Sequence, residues 1–105
     1  MSYVAPLNLL SSVVVLDGSV ESWPMLDPSL GDRREFRQSI RFERSFAHPP
    51  VVQVGLVGID ASKDDNLRLR LRAEDITSTG FTLHAETWLN TRIWSVEVSW
   101  LAIGS

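Results

Sequence analysis

Leu67-Arg68-Leu69-Arg70-Leu71-Arg72-Ala73 is the stretch that decides the fold. Apolar and basic residues alternate through the whole run, the period of a strand with one face on a core and the other in water. On a helix the arginines would scatter around the circumference. The same period recurs downstream. Phe81, Leu83 and Ala85 alternate with Thr82, His84 and Glu86, and Trp94, Val96, Val98 and Trp100 alternate with Ser95, Glu97 and Ser99. Upstream, Ile40, Phe42 and Phe46 share one parity, with Arg41, Glu43 and Ser45 opposite. Val52, Val54 and Leu56 read as another strand, where Gly55 and Gly58 predict a bulge or a close approach. A short strand over Ser12–Leu16 brings the expected number to six.

Turns fall at residues 47–50, 62–66, 77–80 and 90–92, with no helix-length crossover between strands. The expected fold is therefore all-β, a six-stranded antiparallel β-sandwich. A chain of 105 residues holds one domain. Turn signals crowd residues 1–35, around Asp17-Gly18-Ser19 and Asp27-Pro28-Ser29-Leu30-Gly31-Asp32. That segment reads as an irregular arm carrying the one short strand, and residues 36–103 as the sandwich body.

Composition removes several functions. Ten Lys and Arg stand against 13 Asp and Glu, a net charge of −3, so the basic footprint of a nucleic-acid binder is absent. There is no cysteine, which excludes disulfides, thiol catalysis and thiolate zinc sites. Two histidines do not make a three-histidine metal site. The apolar run Val13–Leu16, which no other exceeds, is far too short for membrane insertion. No Lys or Arg precedes Arg33, and Asn8 and Asp17 break the early apolar stretches, so no signal peptide is read. No Gly-rich phosphate loop, serine elbow or distinguished carboxylate pair stands out, so an enzyme is not expected. No cofactor is expected either. Asp64 and Asp65 lack the alternating spacing of a calcium loop, which leaves a structural calcium ion open but unassigned.

The outward faces are more informative. Arg68, Arg70 and Arg72 point away from the core, and by parity they share a charged side with Arg41, Glu43, Glu86 and Glu97, where cross-strand ion pairs would form. His84 faces that side too and is expected to pair with a carboxylate, whereas His48 belongs to the turn before Pro49-Pro50. Trp94 and Trp100 read as core, and Trp23 as the anchor of the arm. Trp88 has the opposite parity to Phe81 and Leu83 and runs straight into a turn beside Asn90. An exposed ring at a strand end, within reach of an arginine, suits sugar recognition. One pyranose face is apolar and stacks on an indole, while the hydroxyls need directional donors and acceptors.

Phe46-Ala47-His48-Pro49-Pro50-Val51-Val52, Gly58-Ile59-Asp60, Asn66-Leu67-Arg68, Thr79-Gly80-Phe81, and Thr87-Trp88-Leu89-Asn90-Thr91 followed by Ile93 to Trp100 carry a resemblance in their order and spacing. Residues 36–103 resemble the H-type lectin domain, the family of snail agglutinins and of the C-terminal part of slime-mould discoidins. The resemblance implies a homotrimer, with some members stacking trimers into hexamers, and binding of galactose or N-acetylgalactosamine on glycans without turnover. It also implies sites at the edges between subunits. The family's arginine matches Arg68 and its tryptophan Trp88. Its aspartate matches Asp32 after a one-residue shift, or falls on Gly31 without it, and a backbone contact two residues earlier maps near Ser29 or Leu30. In this scheme Arg68 donates near the axial O4, Asp32 accepts from O3 and O4, Trp88 and Leu89 give the apolar contact, and Asn90 braces the turn. Arg70, Arg72, Glu86 and Glu97 would face the threefold interface.

Leu89 stands where snail agglutinins carry a histidine. Loss of that donor would weaken or redirect specificity by roughly 1–3 kcal/mol. The family's extra cysteines are missing as well. The competing expectation is a structural or adhesive oligomerisation module with a degenerate sugar site. The sequence leaves localisation open, and a glycan-binding role implies action outside the cell or at its surface.

Overall fold

The computed structural model describes residues 7–19 and 23–105; residues 1–6 and 20–22 of the arm lie outside them. Six strands follow in order: β1 (Asn8–Asp17), β2 (Arg33–Arg41), β3 (Val51–Ala61), β4 (Arg70–Glu74), β5 (Gly80–Trp88) and β6 (Ile93–Gly104). They form two three-stranded antiparallel sheets, β1-β6-β3 and β2-β5-β4, stacked as a β-sandwich. The central strands carry the core. β5 buries Phe81, Leu83 and Ala85, and β6 buries Val96, Val98, Trp100 and Ala102. One end is closed by Phe42, Phe46, Phe81 and Trp100, whose ring centroids lie 5.2–5.9 Å apart.

The arm docks through specific groups. The Trp23 indole N–H donates to the Ile93 carbonyl at 2.9 Å, and its ring meets Phe36 edge-on at 5.2 Å. Met25 is fully buried, and its carbonyl accepts from the Ile93 N–H. Asp27 caps a single 3₁₀ turn, Pro28–Leu30, by accepting from the Ser29 N–H at 3.0 Å. Together these contacts deliver Gly31 and Asp32 to the start of β2.

Five expectations need correction. β1 has ten residues rather than five, because Asn8–Ser11 pair with Leu101–Gly104 although exposed Ser11 and Ser12 break the apolar pattern. β4 begins only at Arg70, and Leu67 is exposed. The hydroxyls of Thr87 and Thr91 donate to the carbonyls of Arg68 (2.6 Å) and Asn66 (2.5 Å), so side chains replace the ladder there. Trp94 is 45% exposed, not core. Asp60 pairs with Ser95 and Ala61 with Ile93, so Trp94 is the extra residue of a bulge, and Ile93 takes the buried place. Glu97 lies on β6, in the other sheet from Arg70, Arg72 and Glu86, and its side chain covers Gly58. Glu43 falls beyond β2, in the connection to β3. The bulge expected near Gly55 and Gly58 is present between Leu56 and Gly58.

β1 is an outer strand whose register runs unbroken from Asn8 opposite Gly104 to Asp17 opposite Ser95. It carries no charged residue before Asp17. Among the described residues no helix is long and apolar enough to cross a membrane.

Candidate functional site

The turn from β5 to β6 is built around a strained residue. Leu89 has φ of +56°, a left-handed conformation that costs a side-chain-bearing residue roughly 1–2 kcal/mol. Two groups hold it there. Its N–H donates to the Asp32 carbonyl at 2.7 Å. Its carbonyl accepts from Arg34 Nη2 at 2.9 Å, and the same nitrogen donates to the Thr91 carbonyl at 2.6 Å. Arg34 Nη1 reaches the Pro24 carbonyl at 3.3 Å. Arg34 is only 3% exposed, and burial pushes its guanidinium below the usual arginine range, with Asp27 opposing. This one side chain ties the arm to the turn.

The structure brings Arg68 and Asn90 together, and Thr91 joins them. Arg68 Nη1 donates to Asn90 Oδ1 at 2.9 Å and to Thr91 Oγ1 at 3.1 Å. Thr91 is 1% exposed, so the guanidinium is braced from beneath by a fixed hydroxyl. Leu89 is exposed beside it. The Asp32–Leu89 backbone bond lays the Gly31-Asp32 loop against this turn, and the Asp32 carboxylate has no protein partner among the described residues. Gly31 has φ of +137°, which only glycine adopts readily. The Ser29 hydroxyl donates to Asp27 at 2.6 Å and is thus turned toward its own cap; that bond and the one from the Ser29 N–H hold the Asp27 carboxyl below the usual range.

Trp88 stands on the outer face of the β2-β5-β4 sheet, opposite Arg33 in register. Its immediate cation is Arg70, whose guanidinium carbon lies 5.0 Å from the ring centroid. That pairing was not legible from the strand pattern of either residue alone. Glu86, 2% exposed, anchors the group by accepting from Arg33 Nε and, at 2.9 Å, from Arg70 Nη1. Further along, Glu35 pairs with Arg33 (2.7 Å) and Arg37 (3.3 Å), and Glu74 with Arg37 (3.2 Å). His84 lies between Glu35 (3.3 Å) and Glu74 (3.4 Å), the carboxylate neighbours expected of it, but neither ring nitrogen is aligned for a hydrogen bond.

Burial raises the Glu86 carboxyl, but the Arg33 hydrogen bond and the charges of Arg33, Arg70 and His84 outweigh it, leaving the group below its ordinary value. A carboxyl lowered by folding stabilises fully above its unfolded value and loses that contribution as pH falls through its folded one. Glu86→Gln should therefore cost about 1–2 kcal/mol at pH 7, discounted because both arginines are half exposed. It should also flatten the acid limb of the stability curve below about pH 4.5. Urea titrations between pH 3 and 7 check this; parallel curves for the two proteins would refute it.

A family model described as the H-type lectin domain matches residues 37–103. The chain belongs to the H-type lectin domain family. The domain is accordingly a non-catalytic carbohydrate-binding module. The protein named ATP synthase subunits region ORF 7, from Fuscovulum blasticum, is 43% identical over 72 residues, covering 69% of this chain and 63% of that protein. Discoidin-2 of Dictyostelium discoideum is 27% identical over 110 residues, covering 96% of this chain and 40% of discoidin-2. The chain thus spans under two thirds of the length of either relative. The solved native structure of recombinant discoidin II from Dictyostelium discoideum superposes with a TM-score of 0.79 at 22% identity, over 98% of this chain and 39% of that one. A second discoidin II structure, of the wild-type protein, gives 0.78 over 95% and 37%. Both likenesses confirm the fold.

Within this H-type lectin domain, sequence reasoning missed Arg34. Its parity with Phe36, Gln38 and Ile40 was the available signal. Cation ligands are poorly supplied. Glu35, His84 and Glu86 bring ligand atoms within 4.8 Å of one another, yet the two carboxylates already accept from Arg33, Arg37 and Arg70, whose charge opposes a metal ion. Asp65 is paired with Arg92 at 3.0 Å, which leaves Asp64 alone in that loop.

Proposed function

We propose that this H-type lectin domain recognises terminal galactose or N-acetylgalactosamine on glycans and gains avidity as a homotrimer. The observation that carries the reading is the braced Arg68: its guanidinium is fixed by Asn90 and Thr91 at the turn that also binds the Asp32 backbone. A fork of N–H donors suits adjacent hydroxyl oxygens, and the Asp32 carboxylate is the matching acceptor. Trp88 and Leu89 supply apolar contact, Asn90 braces the turn, and Gly31 and Ser29 lie on the loop that would close over the sugar. A single small polar ligand gains little net free energy, so three copies on one rigid body make the binding useful. The outer face of the β2-β5-β4 sheet, with buried His84 and Glu86 outside the core, supports its use as the contact between subunits. Such binding places the protein outside the cell or at its surface.

Arg68→Ala should lower affinity for methyl galactoside by about tenfold or more without loss of fold. Titration calorimetry with circular dichroism as control measures this; unchanged affinity would remove Arg68 from the site. Sedimentation that shows a monomer at micromolar concentration would remove the trimer. An adhesive module with a degenerate site is the second reading, favoured by Leu89 and by the Arg70 guanidinium over Trp88. A glycan array without signal for either sugar would select it.

A further inference from the structure

We propose that Leu30, Leu67 and Leu89 form an apolar rim beside Arg68 that holds a hydrocarbon aglycone, so that the preferred ligand is a galactoside joined to an alkyl or aromatic group. This rests on the sugar-binding reading and names its ligand class. The three leucines are between 50% and 62% exposed. They come from three separate loops, yet hydrogen bonds gather those loops at one end of the sandwich. The Leu89 N–H donates to the carbonyl of Asp32, two residues after Leu30. The hydroxyl of Thr91, two residues after Leu89, donates to the carbonyl of Asn66, next to Leu67. Arg68 follows Leu67 and reaches Asn90 and Thr91 in the same turn. None of the three leucines lies in a strand, so the rim is off the sheet face proposed as the contact between subunits.

Single exposed leucines are common on protein surfaces, but three that meet around one fixed guanidinium make a patch. Specific bonds also hold each of them outward. Leu67 shares the apolar parity of Leu69 and Leu71, which pack against the core. The Thr87 and Thr91 hydroxyls take the carbonyls on either side of Leu67 and keep it out of the ladder. Leu89 keeps its left-handed backbone between Asp32 and Arg34. The Asp27 cap fixes the turn that ends in Leu30, and no residue of that turn is buried. Leucines whose backbones are already fixed gain contact at little ordering cost. The chemistry of the ligand follows. Residues 27–32, 62–68 and 89–92 hold four aspartates against Lys63, Arg68 and Arg92, so no surplus of positive charge draws an anionic group. One acetamido methyl is too small to cover three half-exposed leucines, whereas several methylenes or a phenyl ring have the area.

The test compares methyl, octyl and phenyl β-galactosides with methyl N-acetylgalactosaminide and octyl β-glucoside by calorimetry, below micelle-forming concentrations. At least one of the octyl and phenyl galactosides should bind about tenfold tighter than the methyl form, and high salt should not erode the gain. The two arms separate an alkyl from an aromatic aglycone. Octyl glucoside at the same concentration should not bind. Leu67→Ser should remove most of the gain and leave methyl galactoside affinity unchanged, and Leu30→Ser should also lower the ratio of the two affinities. Val13→Ser, at an exposed residue of β1, should keep that ratio. Methyl, octyl and phenyl galactosides bound alike would overturn the rim and spare the galactose reading, as would a gain confined to the acetamido sugar. Octyl glucoside bound as tightly as octyl galactoside would show a tail site independent of the sugar and also overturn it. An assembly that dissociates on Leu67→Ser would assign the leucines to a neighbouring copy, against the proposal. No binding of any ligand would overturn both readings.

Discussion

Arg34→Met is expected to destabilise the protein by about 3 kcal/mol, the cost of removing the charged donor from a buried polar cluster. The carbonyls of Pro24, Leu89 and Thr91 all lose a partner at once. Methionine fills similar space but donates nothing. Arg34→Lys should recover only part of the loss, because an ammonium group lacks the planar fork that spans several acceptors. The effect reaches the proposed sugar site. Without Arg34 the left-handed Leu89 is held by the Asp32 carbonyl alone, so galactoside affinity should fall more steeply than the folded fraction does. Guanidinium chloride unfolding and calorimetry on the same samples check both parts. A loss under 1 kcal/mol would show that water replaces the guanidinium at these carbonyls.

Gly80→Ala is expected to cost about 3 kcal/mol or more, at the upper end for overpacking because the clash is with backbone. A Cβ there would be driven into the Ile40 carbonyl oxygen and would meet Arg41 Cα at 3.2 Å. Neither can turn aside, since Ile40 and Arg41 are ladder partners of β5. The neighbouring turn is fixed as well, with the Thr77 N–H donating to the Gly80 carbonyl at 2.9 Å and the Thr77 hydroxyl accepting from the Gly80 N–H at 3.2 Å. Gly18→Ala is the control. Among the described residues its Cβ would meet only Leu26 at 3.9 Å, an ordinary contact, and stability should change by at most about 0.5 kcal/mol. Equal losses for the two variants would refute the close-approach argument.

Legibility in the sequence followed a physical boundary. Alternation is a local signal, so Phe81-Leu83-Ala85 and Val96-Val98-Trp100 were readable as core without any partner in view. A single inserted residue inverts parity, and nothing local marks the insertion; Trp94 was therefore assigned inward and stands outward. β4 fell short of its alternating run because Thr87 and Thr91, far along the chain, take the carbonyls it would have used. At the site, Arg68 came from the family resemblance and Asn90 from the turn, but the pairing of Trp88 with Arg70 depends on register between β4 and β5. Arg34 escaped because a charged residue suggests a surface, and the carbonyls that justify burying it come from two distant places in the chain, the arm and the β5–β6 turn. The face shared by Arg70, Arg72 and Glu86 was read correctly apart from Glu97 and Glu43, since parity assigns a side within a sheet but does not say which sheet a strand joins or where the strand ends.

The outer position of β1 bears on how the protein behaves in bulk. A long strand on the rim of a sheet leaves a row of amide and carbonyl groups without ladder partners, and natural proteins commonly blunt such rims with lysine, proline or a kink. Over Asn8–Leu16 this strand has none of the three. Concentrated solutions therefore offer neighbouring molecules a template for strand addition. Turbidity or fibrillar growth on storage would originate there, at the opposite layer of the sandwich from Trp88.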